Sequence, residues 1–590
     1  MNSLQLEKLH LGLPPVLQAS DTVSLDLELS GLKESQLHRP HGQFVSLACS
    51  FDGKSAYLIQ DETQVQAFLD NLSEATWVFH NSTFDIRHLR RWAKVEERKA
   101  MRDTMLIEKL MFSEYYDSFG LNDLVRRYLG CYMSKAVRSE FSSHTGAMTA
   151  KQMNYAVLDV IGTWLVDQEQ QKIIEKQEKL LWERMENPMV WIACGFSGFP
   201  FDKERWLALA KGQEEIVHRI EDDLGVRYGK EVSKMAGRGK ARTEVKEFVP
   251  FNPASSVQVL KILQETFQEE VESTGDDILS AIAENGNSDE SKKFASQMLE
   301  YRAAAKKSST YGRSYVEENV EEDGCIYPDL RTIGAATGRS SCTSPNLQQV
   351  PRGKEYRYCF VAGKRRKLII ADYSSQEPRL FAQTCKDFKL LEIFNSGLDI
   401  YCEVALHAFG EKITKADKER RNQIKALVLG LIYGLTPYGF ARDNHVDIEV
   451  AEEMYNKFFD AFPKAAQWVQ NQQSFNRGFT RTLLGRKCHL HPYSREWKNN
   501  SLNNPFQGGG ADMTKLAMKQ FWIAYREDIQ SGLCGIILPV HDEIIAWCVE
   551  DMAEYYRDGL EKCMKDVAEK IHPDVPAIAE CHIADSWAEK

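Results

Sequence analysis

Two short acidic clusters hold the residues of this chain best suited to chemistry, Asp372-Tyr373-Ser374-Ser375-Gln376-Glu377-Pro378-Arg379 and Val540-His541-Asp542-Glu543. The first ends the apolar run Leu368-Ile369-Ile370-Ala371, which reads as a buried β-strand. The second interrupts Gly535-Ile536-Ile537-Leu538 and Ile544-Ile545-Ala546-Trp547, and so reads as the tip of a β-hairpin. Strand and hairpin side by side would bring Asp372 and Asp542 together. Paired carboxylates at strand ends are what two divalent ions need to hold an attacking and a leaving oxygen in line. Either cluster alone also fits ordinary strand-end acids. Between them, Arg421, Lys425, Leu429 and Tyr433 step by four, a slowly drifting row on one edge of a helix. An amphipathic surface helix gives the same pattern.

A second acidic group lies near the N-terminus. Thr22-Val23-Ser24-Leu25-Asp26-Leu27-Glu28 alternates as a half-buried strand does, so Asp26 and Glu28 share a face. Trp77-Val78-Phe79-His80-Asn81 reads as another strand and leads into Phe84-Asp85. Tyr155 and Asp159, at i and i+4, lie on one face of a helix. Four acids and a tyrosine from three elements could converge on one pair of metals. Asp85 alone would also serve as a helix N-cap.

The elements around these residues carry a wider pattern. Asp372 to Arg379, Arg421 to Gly434 and Val540 to Glu543 resemble, in that order, motifs A, B and C of the family A (DNA polymerase I-like) DNA polymerases. Thr337-Gly338-Arg339-Ser340-Ser341 with Ser344-Pro345-Asn346-Leu347-Gln348 resembles the family segment before motif A. Asn503-Asn504-Pro505-Phe506-Gln507-Gly508 resembles the one before motif C. The N-terminal acids with Tyr155 resemble the three motifs of DnaQ-like 3′–5′ proofreading exonucleases. The resemblance implies an α/β multidomain chain: an RNase H-like exonuclease domain at 1–170, then a right-hand polymerase domain at 171–590, without a 5′-nuclease domain. Thumb, palm and fingers would fall at about 203–311, 312–398 with 494–590, and 399–493.

By the same resemblance, Asp372, Asp542 and the carbonyl of Tyr373 would bind metal in the polymerase, with Glu543 a supporting acid near the primer end. Asp26, Glu28, Asp85 and Asp159 would bind metal in the nuclease, with Tyr155 orienting the attacking water. Two Mg²⁺ per site are implied, with Mn²⁺ as a substitute. Arg421 and Lys425 would hold the triphosphate, Tyr433 would pack beside the nascent base pair, and Glu377 with Tyr433 would crowd a 2′-hydroxyl. Arg339, Asn503, Gln507 and His541 would read the minor-groove edge or the primer terminus. Three positions depart from the pattern: Leu429 stands where many relatives carry an aromatic residue, Asn499 where they often carry arginine, and Pro539 where a polar residue is common. The implied partners are primer-template DNA and dNTPs, with a helicase, primase or single-strand-binding protein in a phage setting, and the chain acting as a monomer. A single-subunit RNA polymerase-like enzyme, or a nuclease with a DNA-binding polymerase-like half, are the alternatives.

Composition fits a multidomain globular chain: 590 residues, 43% hydrophobic and 27% charged. The formal charge of −11 does not favour phosphate binding overall. The cations are concentrated instead at Lys230, Lys234, Arg238, Lys240, Arg242 and Lys246, at Arg302, Lys306 and Lys307, and at Lys364 to Lys367. Gly237-Arg238-Gly239-Lys240 reads as a phosphate-contacting loop or an ordinary solvated turn. The 13 cysteines form no C-x-x-C pair, which argues against a zinc ribbon. No leader-like N-terminus and no apolar run of membrane-spanning length are present, so a cytoplasmic protein with no membrane association is expected.

Overall fold

A computed structural model of the chain describes residues 3–32, 38–39, 41–134, 137–236, 243–351, 353–444, 446–491 and 493–589. The N-terminal unit is built on a six-stranded sheet ordered Lys8–Leu11, Ser55–Ile59, Gln43–Ser50, Thr22–Ser30, Thr76–Phe79, Met101–Asp103. Thr22–Ser30 is interior, antiparallel to Gln43–Ser50 and parallel to Thr76–Phe79. Its alternation serves both faces. Val23, Leu25, Leu27 and Leu29 enter a core shared with Phe68, Phe79 and Ile86. On the opposite face the Ser24 hydroxyl donates to the carbonyls of Ser50 and Val160, the latter at 2.7 Å, which ties the strand to the helix Ala150–Ile173. Asp26 and Glu28, two and four residues along, therefore face that helix.

The helix ends at Ile173, past the expected division at residue 170. The chain continues through Lys176–Leu181, a wider-wound turn Trp182–Glu186, and Asn187–Ala193. Asn187–Ala193 is buried throughout and serves three cores. Val190 and Trp191 pack with the N-terminal sheet, Met189 and Ile192 with the large C-terminal core, and Ala193 with a third.

The C-terminal unit centres on an antiparallel sheet ordered Cys534–Val540, Glu543–Val549, Arg366–Tyr373, Ala579–Ala584. Leu368 to Ala371 form an unbroken buried run because both faces are covered. Ile369 and Ala371 enter the helical core, and Leu368 and Ile370 enter the core around Phe360 and Trp587. Five helices, from Ile400–Phe409 to Pro463–Gln473, build the region expected as fingers.

Lys203–Arg227 and Asp289–Tyr311 dominate the region expected as thumb, around Leu224, Val259, Phe294 and Met298. That region is helix-rich as expected, with one addition. Lys230–Ala236 and Thr243–Val249 form a two-stranded hairpin separate from the other sheets. Gly237 to Arg242, including the Arg238 and Lys240 expected in a phosphate-contacting loop, lie outside the described residues.

The 28-residue helix Trp497–Ala524 tolerates both Pro505 and the run Gly508-Gly509-Gly510. It does so because it is packed on several sides. A Cβ on Gly508 would stand 2.9 Å from the Thr337 carbonyl oxygen, and one on Gly510 would stand 2.2 Å from the Gln376 amide oxygen. Small residues there let the helix approach the strand-to-helix turn that follows Asp372.

Candidate active sites

In the N-terminal unit the sequence-assigned acids come together. Carboxylate oxygens of Asp26, Glu28 and Asp159 all lie within 4.8 Å of one another. Asp85 lies in the first turn of Ser82–Leu89, inside the helix rather than at its N-cap, and accepts a hydrogen bond from the Leu27 amide at 3.0 Å. That bond pins the fourth acid to the strand between the first two. The electrostatics are those of a site short of positive charge. Burial pushes Asp26 up to about 7, against the pull of Arg138. Burial, then repulsion from Asp26, Asp159 and Asp85, drives Glu28 well above the usual carboxylate range. Burial, then Asp26, does the same to Asp85. The Tyr155 hydroxyl is raised by burial and then by Asp159, Glu28 and Asp26, so it stays a neutral donor beside them. Arg138, on the short helix Arg138–Phe141, is a nearby cation that sequence reasoning missed, since nothing in its surroundings marks it. All-oxygen donors converging at this spacing suit hard divalent cations.

In the C-terminal unit the sheet register makes the second site. Asp372 stands opposite Glu543, and the Tyr373 amide donates to the Asp542 carbonyl at 3.4 Å. Asp372 and the Asp542 turn are thus adjacent, although 170 residues apart in sequence. His541 occupies the tip of that turn in a left-handed conformation, φ 59°. Glu543 is buried and its Oε1 accepts from the Trp587 indole N–H at 2.7 Å. The Tyr373 hydroxyl is anchored on the Met564 carbonyl at 2.9 Å, so its contribution to a metal site would come from the main chain.

Close enough for Tyr433 to feel the Asp542 charge, Arg339, Glu377 and Tyr433 form a chain. Arg339 Nη2 donates to Glu377 Oε1 at 2.6 Å, and the Tyr433 hydroxyl donates to Glu377 Oε2. Burial, then Glu377, raises the Tyr433 hydroxyl, which keeps it a donor. Arg421, Lys425 and Leu429 lie on the helix Lys418–Ile432, and Tyr433 caps it. Arg421 is paired with Asp399, Nη2 to Oδ2 at 2.7 Å, and Lys425 is exposed with Nζ 5.9 Å from the Tyr401 ring centroid. Leu429 is partly exposed, whereas Leu427, Val428 and Leu431 are buried. Asn503 and Gln507, one turn apart on Trp497–Ala524, are partly exposed, and Asn503 Oδ1 is buried without a hydrogen-bond partner.

The other two departures from the expected pattern find a structural setting. Pro539 lies on the edge strand Cys534–Val540, where a missing N–H is tolerated, and its carbonyl accepts from Gln348 Nε2 at 3.0 Å. Asn499 packs against Gly434, whose φ is +73° and whose added Cβ would stand 3.0 Å from the Asn499 Cα.

A buried ionic group beside this site was missed entirely. Arg486, 2% exposed at its side chain, donates to Glu186 Oε1 and, through Nε, to Asp512 Oδ1 at 2.7 Å. Lys515 Nζ reaches both Glu186 oxygens at 2.8 and 2.9 Å. Burial opposes the Glu186 charge, but Lys515 and Arg486 outweigh it and hold the carboxyl below its usual range. No local pattern could signal a contact between residues 300 positions apart.

Comparison with known proteins follows the same division. The sequence profile described as DNA polymerase family A matches residues 226–589, and that described as 3′–5′ exonuclease matches residues 13–175. A DNA polymerase I of Aquifex aeolicus is 27% identical over 569 residues, covering 90% of this chain and 91% of its own. One from Pseudomonas aeruginosa is 31% identical over 333 residues, 54% of this chain. The chain spans only about a third of the Pseudomonas and Chloroflexus aurantiacus relatives, 35% and 32%. Among solved structures, the polymerase domain of Pol1 from M. smegmatis, in complex with DNA primer-template and dNTP, superposes with a TM-score of 0.79. The two are 24% identical, over 98% of this chain and 99% of that one. No described helix is long and apolar enough to cross a membrane.

Proposed function

We propose that this chain, which belongs to DNA polymerase family A and carries a 3′–5′ exonuclease domain ahead of its polymerase domain, extends a primer 3′ end with dNTPs on a DNA template and excises mismatched 3′ nucleotides. The observation that carries the reading is the register that sets Asp372 beside the Asp542–Glu543 turn, with the Arg339–Glu377–Tyr433 chain close enough to feel the Asp542 charge. We assign residues 1–170 to the exonuclease, 203–311 to the thumb, 312–398 and 494–590 to the palm, and 399–493 to the fingers.

Divalent cations, Mg²⁺ with Mn²⁺ as a substitute, would be held by Asp372, Asp542 and the Tyr373 carbonyl in one site and by Asp26, Glu28, Asp85 and Asp159 in the other, where they would neutralise phosphoryl charge and activate the attacking oxygen. The protein side of the work is positioning and charge. Lys425, exposed at its tip, places a cation against the triphosphate and a proton near the departing pyrophosphate. Arg421 adds a second cation by sharing its Asp399 pair with a phosphate. Glu377, held on two sides by Arg339 and Tyr433, crowds a ribose 2′-hydroxyl and so favours dNTPs. Arg339, Asn503, Gln507 and His541 offer hydrogen bonds to the terminal pair. Minor-groove acceptors are common to all correct pairs, so these contacts check geometry rather than sequence. In the other unit, Tyr155 donates to and orients the attacking water.

The Pseudomonas aeruginosa and Aquifex aeolicus relatives are bacterial polymerases. A phage setting, and helicase, primase or single-strand-binding partners, are carried by none of these observations. Single-nucleotide incorporation of dNTP against rNTP on one DNA primer-template tests the reading. Preferential dNTP incorporation is expected. Equal or preferred rNTP incorporation would favour the RNA polymerase-like alternative, and no incorporation would leave a nuclease with a DNA-binding half.

A further inference from the structure

We propose that Glu186, in the segment joining the two units, is a positioning residue for sugar selection: through Arg486 it fixes the Thr337–Arg339 turn, and through that turn the Arg339–Glu377–Tyr433 chain. The proposal rests on the polymerase reading above. Glu186 ends the wider-wound turn Trp182–Glu186 and is 0% exposed. Its carboxylate takes charged hydrogen bonds from Arg486 and Lys515, and Asp512 takes the other side of the Arg486 guanidinium. Thr482 completes the arrangement. Its hydroxyl donates to Asp512 Oδ2 at 2.8 Å and accepts from the Arg486 amide at 3.1 Å. Two acids and two bases balance, and each guanidinium direction used is occupied by a carboxylate. A buried charged group satisfied on this many sides has few alternative positions.

Gly338 lies against the Arg486 side chain so closely that an added Cβ would stand 2.6 Å from Nε and 2.7 Å from Cζ. Gly338 has φ +84°, which few other residues adopt. Thr337 is pressed from below, since its carbonyl oxygen would lie 2.9 Å from a Cβ on Gly508. The turn is thus seated between Arg486 and the Trp497–Ala524 helix. The next residue is Arg339, whose guanidinium holds one oxygen of Glu377 while Tyr433 holds the other. If Arg486 shifts, the seat of Gly338 shifts, and Glu377 loses the partner that sets its rotamer. Sugar discrimination then depends on a residue of the interdomain segment, which makes that segment more than a tether.

The test measures the ratio of dNTP to rNTP incorporation efficiency for wild type, Glu186→Ala and Glu186→Gln, together with thermal midpoint and single-strand excision. The ratio is blind to the fraction of molecules folded, so a purely structural role would lower the midpoint and the active fraction without moving it. The expected result is a fall of between about 2-fold and 30-fold in the ratio for Glu186→Ala. Most of it should be restored in Glu186→Gln, which keeps an acceptor for Arg486, and excision per folded molecule should be unchanged. If Glu186→Ala does not fold, Gly338→Ala disturbs the same contact from the other side and must lower the ratio likewise. A wild-type ratio in the folded variants overturns the proposal. A wild-type chain that extends no primer overturns the polymerase reading itself, and the proposal with it.

Discussion

Leu429 is the residue at which this chain departs most usefully from its family's pattern. It lies one turn beyond Lys425 and is partly exposed, while its neighbours Leu427, Val428 and Leu431 are buried. The side chain is therefore not packed away with them, and it offers apolar contact without a flat ring or a hydroxyl. Leu429→Tyr is expected to raise acceptance of 2′,3′-dideoxynucleotides severalfold, the worth of one hydrogen bond of about 1 kcal/mol. Single-nucleotide incorporation in an exonuclease-inactive background measures it, and an unchanged ratio would place the side chain away from the sugar. At the other site, Asp26 allows a prediction with a definite sign. A carboxyl raised from 3.8 to about 7 on folding favours the folded state at low pH and costs stability as pH rises through that range. In the presence of a chelator, Asp26→Asn should therefore stabilise the exonuclease unit at pH 8. The gain should be about 1–2 kcal/mol, because solvent screens this partly exposed carboxylate, and it should shrink toward zero near pH 4. Thermal unfolding at the two pH values checks it. Adding Mg²⁺ should narrow the pH 8 difference, since the wild type has more to gain from a cation.

Two glycines inside helices give opposite expectations, and both follow from what surrounds them. Gly212, in Lys203–Arg227, has nothing within 4 Å of an added Cβ. Gly212→Ala should stabilise by about 0.5–1 kcal/mol through helix propensity and a stiffer unfolded chain. Gly508 would instead meet Thr482 at 2.7 Å and a backbone oxygen at 2.9 Å. Gly508→Ala should destabilise by about 1–3 kcal/mol, and denaturant midpoints of the two variants should move in opposite directions. Elements of this kind show where sequence patterns carry and where they stop. The buried run at Leu368 to Ala371 and the alternation at Val23 to Glu28 were legible, because burial on both faces or on one leaves its own period in the residues. The register opposing Asp372 to Glu543 was anticipated only as adjacency. The Trp497–Ala524 helix, broken in pattern by Pro505 and three glycines, was not legible as a helix, because close packing rather than propensity keeps it. The hairpin at Lys230 to Val249 has no uniformly apolar face, with Glu231 opposite Phe248 and Val232 opposite Glu247, so no alternation announced it. The hold of Trp587 on Glu543, and of Glu186 on Arg486, join residues 44 and 300 positions apart, which only the folded chain reveals.

At the scale of the whole molecule, the two carboxylate sites belong to different sheets with different cores, joined by a helix that all three cores share. Removing the charge of one site should therefore leave the other standing. That separation distinguishes a polymerase with its own proofreading nuclease from a nuclease that merely binds DNA. The direct measurement pairs two variants, Asp372→Ala and the double substitution Asp26→Ala with Glu28→Ala, assayed for extension of a matched primer and for release of a mismatched 3′ nucleotide in Mg²⁺. Losing metal-ligating charge should cost at least about 10³-fold in the rate of the reaction at that site. Asp372→Ala should abolish extension and keep single-strand excision, and the double variant should abolish excision and keep extension. Extension near the wild-type rate in Asp372→Ala, or excision persisting in the double variant, would contradict the two-site reading.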